Sequence, residues 1–248
     1  MRLLTKDWYL KKKFTVLFNR LELCLEREIR RKDFFHEKLQ ERYNEFVKGV
    51  TDSCDQTENA QISEKNLQKK FKAMLQKNRK IFELYTDGIY LDRKHLDLLG
   101  IGYTSKKIKN KINVFNEKIL EEISEIENSA RERSLSVSED IMLGITTESL
   151  EGCVIYDFSV NSDSDVALRF DAFEIDLIDA VINCKEKEIN IIKAQTSTAK
   201  TTVLAAEFYR EGKDIVLETL LENESATTIS APWYMTITCA NVRFKSTL

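Results

Sequence analysis

Proline, glycine and histidine are scarce in this chain of 248 residues, which holds one Pro, seven Gly and two His. So few Pro and Gly exclude collagen-like repeats, proline-rich segments and flexible glycine linkers. With only His36 and His95 present, a histidine-based metal centre is not expected, and the sequence predicts neither a metal site nor a cofactor. Apolar residues make up 42% of the chain and charged residues 32%, which is typical of a folded protein with a substantial core.

Cysteines and long apolar runs are also few, and both bear on localisation. The five cysteines are widely spaced, without a C-x-x-C pair: Cys24, Cys54, Cys153, Cys184 and Cys239. This odd, scattered set is typical of reduced thiols in the cytoplasm. No run approaches the ~18 apolar residues of a membrane-spanning helix, and MRLLTKDWYLKKK lacks the apolar segment of a secretory signal. We therefore expect a cytoplasmic protein without a membrane span.

The net charge of −3 hides two halves of opposite sign. Residues 1–135 hold 29 Lys and Arg against 22 Asp and Glu, a net charge of +7, whereas residues 136–248 hold 9 against 19, a net charge of −10. A reversal of this size indicates two structural units. We predict a basic helical domain over 1–135, a connector over 136–152 and an acidic all-β domain over 153–248.

The first half has the apolar periodicity of amphipathic helices. Thr5 is the expected N-cap of a first helix, whose apolar stripe continues to Leu25. Ser63 and Asp92 are expected to cap two further helices. Ser105 opens the clearest helix, whose apolar positions recur at steps of three and four: Ile108, Ile112, Phe115, Ile119, Ile123, Ile126 and Ala130.

From Cys153 the apolar period changes to two, which indicates β-strands. Strands are expected at 154–160, 166–170, 173–182, 188–195, 201–209, 214–221 and 233–244. Gly212 supplies a hairpin turn, and Pro232 precedes the last strand, where it removes no ladder hydrogen bond. The predicted fold is α+β, with an N-terminal helical bundle followed by a C-terminal antiparallel β-sandwich or partly open barrel.

Two short boxes carry a resemblance to a known family. Leu4-Thr5-Lys6-Asp7-Trp8-Tyr9 is similar to the Phe-Thr-Lys-Glu-Trp-Tyr box that opens an uncharacterised bacterial family of similar length. Leu150-Glu151-Gly152-Cys153 resembles that family's Leu-His-Asp-Cys box, except that Glu151 and Gly152 replace the His-Asp pair. The resemblance implies a helical half before a strand-rich half and no activity, and no role of the His-Asp pair transfers to this chain.

Basic residues in the helical half are candidates for binding nucleic acid. They form two groups along the chain: Lys11, Lys12 and Lys13, then Arg27, Arg30 and Arg31. Aromatic residues are interleaved with these basic residues, as stacking on a single strand would require: Phe14 follows the first group, and Phe34 and Phe35 follow the second. The alternative is a solvated, salt-bridged face, because Glu26 stands four residues before Arg30.

Acidic residues in the strand-rich half are candidates for binding a basic protein: Asp171, Glu174, Asp176 and Asp179. Glu174 and Asp176 would share one face of a strand, as a catalytic carboxylate pair does, although a half-buried strand shows the same alternation to water. Asn161, Asp163 and Asp165 occupy the first positions of a calcium loop, which then lacks its glycine and its final glutamate. We interpret that segment as a polar turn.

The remaining motifs point to structure rather than to chemistry. Trp8 and Tyr9 are either an interaction anchor or, as we favour, part of the core. Gly100-Ile101-Gly102 follows a helix instead of a strand, so it is a helix stop and not a nucleotide cradle. The sequence contains no G-x-S-x-G and no Cys–His constellation.

The leading functional prediction is a non-enzymatic cytoplasmic interaction protein, immunity-like or regulatory, which binds a basic protein partner through the acidic β-domain. Two alternatives stay open: a nucleic-acid-binding accessory protein that uses the basic helical half, and an unrecognised hydrolase. The two oppositely charged halves could also pair within one chain or between copies in a homo-oligomer.

Overall fold

The computed structural model describes residues 3–54, 63–141, 150–160, 164–170, 173–183, 199–225 and 232–246. Within these ranges, six helices precede the strand-rich part: α1 Lys6–Asn19, α2 Glu26–Ile29, α3 Phe34–Cys54, α4 Glu64–Tyr85, α5 Arg93–Gly100 and α6 Lys106–Ile141. The strands are β1 Glu22–Cys24, β2 Tyr103–Ser105, β3 Val154–Ile155, β4 Asp157–Val160, β5 Val166–Arg169, β6 Phe173–Ile178, β7 Val181–Asn183, β8 Ala199–Glu211, β9 Asp214–Ser225, β10 Trp233–Cys239 and β11 Asn241–Ser246. The predicted α+β class is confirmed.

The chain divides into two compact units. A helical unit comprises residues 10–123, and a strand-rich unit comprises residues 1–9 together with 124–248. The division differs from the boundary expected at residue 135, because the start of α1 and the second part of α6 belong with the strands. Sequence periodicity cannot reveal this division, since a continuous helix has the same period on both sides of it.

The helical unit is held together by buried aromatic and aliphatic side chains. Phe14 of α1 meets Phe82 of α4 edge to face, with ring centroids 5.6 Å apart. Asp92 caps α5 by accepting from the backbone N–H of His95, and Ser105 Oγ accepts from that of Ile108 at the start of α6, as predicted. Five of the predicted apolar positions of α6 are buried: Ile108, Ile112, Ile119, Ile123 and Ala130.

The first predicted helix extends further along the chain than the helix observed. The stripe was expected to remain helical to Leu25, but α1 ends at Asn19 and the chain then forms β1. β1 pairs in parallel with β2, and Glu22 lies opposite Tyr103. The apolar spacing near Leu21 fits a helix, and the distant partner strand overrides it.

The described residues of the strand-rich unit form two antiparallel sheets around one core. The first sheet has the order β3-β8-β9-β10-β7, and the second has the order β11-β6-β5-β4. Their inward residues form a single hydrophobic cluster that includes Leu168, Leu177, Leu217 and Ile237, each 1% exposed or less. Gly212, at φ +66°, forms the turn between β8 and β9, as predicted. The predicted strand over 188–195 lies outside the described residues.

The turn between α5 and β2 depends on Gly102, whose φ is +86°. A Cβ at this position would lie 3.2 Å from Nη2 of Arg42, which is held by Glu22. We expect Gly102→Ala to lower the free energy of unfolding by about 1–2 kcal/mol, because an L side chain strains this backbone region. The matched variant is Gly49→Ala within α3, where a Cβ meets nothing within 4 Å, and it should stabilise by about 0.5–1 kcal/mol. Urea denaturation of both variants measures these effects, and a shift in the same direction would contradict the assignment.

Candidate polyanion-binding surface

The acidic residues predicted to bind a basic partner are partly neutralised within their own sheet. Glu174 and Asp176 lie on β6 between β5 and β11, as the shared-face prediction requires. Arg169 Nε of β5 lies 2.7 Å from Glu174 Oε2, and Lys245 Nζ of β11 lies 2.5 Å from Asp176 Oδ2. The hydrogen bond from Lys245 to Asp176 raises the pKa of the lysine ammonium. These two carboxylates therefore already have cationic partners.

Of the other two residues of that acidic set, the structure describes Asp179 alone. Asp179 is exposed in the turn between β6 and β7, where its φ is +51° and its backbone N–H donates to Asp165. Asp171 lies outside the described residues, as do Asn161 and Asp163 of the calcium-like segment. Among the residues with described positions, no three His, Cys, Asp or Glu side chains come together as metal ligands would.

The basic residues predicted to bind nucleic acid lie on α1 and around α2. Lys11 Nζ is 2.7 Å from Glu122 on α6. Arg31 Nη2 is 2.6 Å from Glu37 and 3.3 Å from Asp33, and its hydrogen bond to Asp33 raises its pKa. Two of the predicted phosphate ligands thus have carboxylate partners already. Lys12 and Lys13 follow Lys11 on α1, while Arg27 lies in α2 and Arg30 directly after it, both exposed.

A more coherent basic surface lies on α4. This 22-residue helix carries seven Lys and Arg against two Glu. Its exposed lysines recur at helical spacing along one side, and we name this surface the α4 lysine face: Lys65, Lys69, Lys72 and Lys80. At about 3.6 residues per turn, these four positions fall within an arc of roughly 80°. The face is therefore a single stripe on one rigid element.

The opposite side of α4 anchors the helix in the unit. Phe71, Ile81 and Phe82 are buried there, with at most 5% of each residue exposed. Phe71 also packs against Tyr43 and Phe46 of α3. Because the apolar side is buried against protein, the lysine side must face outward.

The α4 lysine face also differs electrostatically from the neighbouring arginine. Arg79 Nη1 lies 2.7 Å from Asp97, and its Nε lies 3.0 Å from Glu83. Within the described ranges, none of the four lysines has a carboxylate within ion-pair distance. Four ammonium groups without neutralising partners create a local positive potential that attracts a polyanion.

The spacing of the lysines in the sequence indicates this face, although the prediction from consecutive basic residues did not include it. Attention to consecutive basic residues favours Lys11-Lys12-Lys13, but adjacent helical residues point in different directions. The spacing i, i+4, i+7 of Lys65, Lys69 and Lys72 places them together instead. A helical wheel of α4 would have found it.

A groove of about 530 Å³ also occurs in the helical unit, beside Arg42. Arg42 donates to Glu22, to Glu45 and to the carbonyl oxygen of Ile101, and its guanidinium lies 4.6 Å from the ring centroid of Tyr103. These contacts saturate the most buried cation of the groove. Through these contacts, Arg42 joins β1 to the turn before β2.

The strand-rich unit contains a buried carboxylate, Glu207 on β8, of which only 2% is exposed. Its Oε1 accepts from the backbone N–H groups of Leu3 and Leu4, and its Oε2 lies 3.3 Å from Arg133. Burial raises the pKa of this carboxyl above its usual value, and Arg133 acts in the opposite direction. Since Glu207 is closed off from solvent, it anchors the N-terminal segment instead of meeting a substrate.

No family model, curated protein or solved structure matches this chain. The resemblance carried by residues 4–9 and 150–153 therefore stays a prediction. Within the described ranges, none of the helices combines the length and the apolar character needed to cross a membrane.

Proposed function

We propose that this chain is a cytoplasmic nucleic-acid-binding accessory protein that holds phosphate groups on the α4 lysine face. The observation that carries the proposal is the row of four exposed lysines on one helical side. Phosphate backbones are dense, regular polyanions, and lysine ammonium groups bind them by displacing condensed counterions. Described Cys24 and Cys239 are free thiols, which supports the cytoplasmic assignment.

This proposal adopts the nucleic-acid alternative in preference to docking of a basic protein on the acidic sheet. A docking surface gains most from charges that are unpaired before the partner arrives. Glu174 and Asp176 have Lys245 and Arg169 as partners, so much of their field is neutralised locally. Among the described residues, the four lysines of the α4 lysine face have no ion-pair partner, and Glu83, which falls within the same arc of the helix, is paired with Arg79.

The test removes the four charges together by the quadruple variant Lys65→Gln, Lys69→Gln, Lys72→Gln and Lys80→Gln. Glutamine has nearly the helix propensity of lysine, so α4 should remain folded. For four neutralised phosphates, wild-type log affinity should fall by about 3.6 per unit of log salt. Raising salt from roughly 50 to 200 mM then weakens binding about 150-fold. Fluorescence anisotropy with random-sequence DNA should show this slope for wild type and little binding for the variant.

A matched control separates the face from overall charge. The quadruple variant Lys106→Gln, Lys107→Gln, Lys111→Gln and Lys118→Gln removes the same charge from exposed positions of α6. It should retain most of the wild-type affinity and slope. Equal loss in both quadruple variants, or wild-type affinity without salt dependence, would contradict the proposal.

A further inference from the structure

We infer that the nucleic acid held by the α4 lysine face is a double helix contacted at its phosphates, without reading of its bases. The inference rests on the proposed function and names its substrate class. Three features of the helical unit carry it: the arrangement of the lysines on one helix, the residues exposed beside them and the buried position of the helix's apolar side.

The stripe lies on one helix and carries three closely spaced charges, followed by Lys80 about 12 Å beyond Lys72. From Lys65 to Lys80 the helix rises about 22 Å, and neighbouring lysines of the first three are about 4.5–6 Å apart along the axis. A duplex presents one phosphate per roughly 3.4 Å on each strand, so the stripe spans about six base pairs. A fixed row of charges suits a stiff, regular partner, whereas a flexible single strand would gain little from it.

The residues exposed on α4 offer nothing on which a base could stack. They are all polar, charged or aliphatic: Glu64, Lys65, Gln68, Lys69, Lys72, Ala73, Gln76, Lys80, Glu83 and Leu84. Proteins that hold single strands without sequence preference rely on aromatic side chains for stacking. The α4 lysine face therefore has the electrostatic part of a nucleic-acid site and lacks the stacking part.

An anionic membrane surface is a less suitable partner for the same lysines. An interfacial helix inserts its apolar side into the lipid while its basic side faces the headgroups. In α4 the apolar side is buried against protein through Phe71 and Phe82, and Leu84 is the one large apolar residue of α4 counted as exposed. The face can offer lipids charge alone, without the apolar insertion that strengthens membrane binding.

One exposed aromatic side chain, Tyr90, makes it possible to test whether base stacking contributes to binding. Tyr90 follows α4 by five residues and is 91% exposed, which is more than any other large apolar or aromatic side chain described in the helical unit. If single-strand stacking contributed, Tyr90 would be the residue to supply it. Backbone binding to a duplex makes no use of it.

The experiment compares a 20-base-pair duplex with its separate strands, using the full chain and fluorescence anisotropy at about 100 mM salt. We expect the duplex to bind about tenfold more tightly than either strand, since the strands release fewer counterions and find no stacking platform. Duplexes of different sequence should bind within about threefold of one another, because phosphate contacts carry no sequence information. Tyr90→Ala should leave duplex affinity unchanged, and the α4 quadruple variant should lose it.

Other results would overturn the inference in distinguishable ways. Equal or tighter binding of a single strand, weakened by Tyr90→Ala, would overturn the duplex assignment while the proposed function stands. Strong preference for one duplex sequence would overturn the absence of base reading. Failure of DNA and RNA, single-stranded and duplex alike, would overturn the proposed function itself. Tighter binding to vesicles of equal phosphatidylserine and phosphatidylcholine than to the duplex would overturn both.

Discussion

Trp8→Ala should lower the free energy of unfolding by about 3–5 kcal/mol, which is the cost of removing a large aromatic side chain from a packed core. Trp8 lies in the first turn of α1 and is 2% exposed. The turn is fixed by Thr5, whose hydroxyl accepts from the backbone N–H of Trp8 at 3.2 Å, as the predicted N-cap requires. The surroundings can collapse only partly onto the space that the indole ring leaves.

Urea denaturation measures this loss, and Tyr90→Ala is the matched aromatic control. Tyr90 is 91% exposed, so its truncation should change stability by less than about 0.5 kcal/mol. The comparison also decides between the two interpretations of the Trp8-Tyr9 pair. An unchanged stability of Trp8→Ala, together with loss of a binding partner, would favour an interaction anchor over a core residue.

Local elements of this fold could be predicted from the sequence because each depends on neighbouring residues. Asp92 and Ser105 cap helices through side chains that reach three residues along the chain, and Gly212 forms a turn within its own hairpin. The end of α1 could not be predicted in the same way. β1 exists because it pairs with β2, a partner that lies far along the chain.

The same distinction between local contacts and contacts with distant residues applies to the candidate sites. The α4 lysine face is a property of one helix, so the spacing of Lys65, Lys69 and Lys72 could have revealed it, although the prediction from the sequence named other basic residues. The neutralisation of Asp176 by Lys245 depends instead on the pairing of β6 with β11, and strand order cannot be obtained from alternation alone. Predicted surface charges therefore need the sheet topology before they can be assigned to a partner.

The second large effect concerns Glu207, the buried carboxylate that holds the start of the chain. Glu207→Leu keeps a similar volume but removes the acceptor of the Leu3 and Leu4 N–H groups and the partner of Arg133. Arg133 retains its contact with Tyr209, whose ring centroid lies 3.3 Å from the guanidinium. Leaving the two backbone N–H groups of Leu3 and Leu4 unpaired should cost about 2–4 kcal/mol of unfolding free energy.

The variant Glu207→Gln separates the contribution of the hydrogen bonds to stability from that of the carboxylate charge. Glutamine retains a carbonyl oxygen for the two backbone N–H groups, so most of the stability lost in Glu207→Leu should be preserved. The folded-state pKa of Glu207 is raised, chiefly by burial, so the folded chain binds more protons at this site than the unfolded chain does. The contribution of Glu207 is therefore fully present below the unfolded pKa, about 4.3, and is lost as the pH rises through the folded value.

Urea denaturation of wild type and Glu207→Gln between about pH 4 and 7 tests this sign. The glutamine variant lacks the titration, so its stability relative to wild type should increase as the pH rises. Groups that titrate equally in both proteins contribute equally to the pH dependence of their stability, so these contributions cancel in the comparison. A stability of Glu207→Gln that falls relative to wild type as the pH rises would mean that attraction to Arg133 outweighs the cost of burying the charge, so that the carboxylate stabilises the fold in its ionised form. A constant difference would mean that the two effects balance, and it would equally contradict the raised pKa.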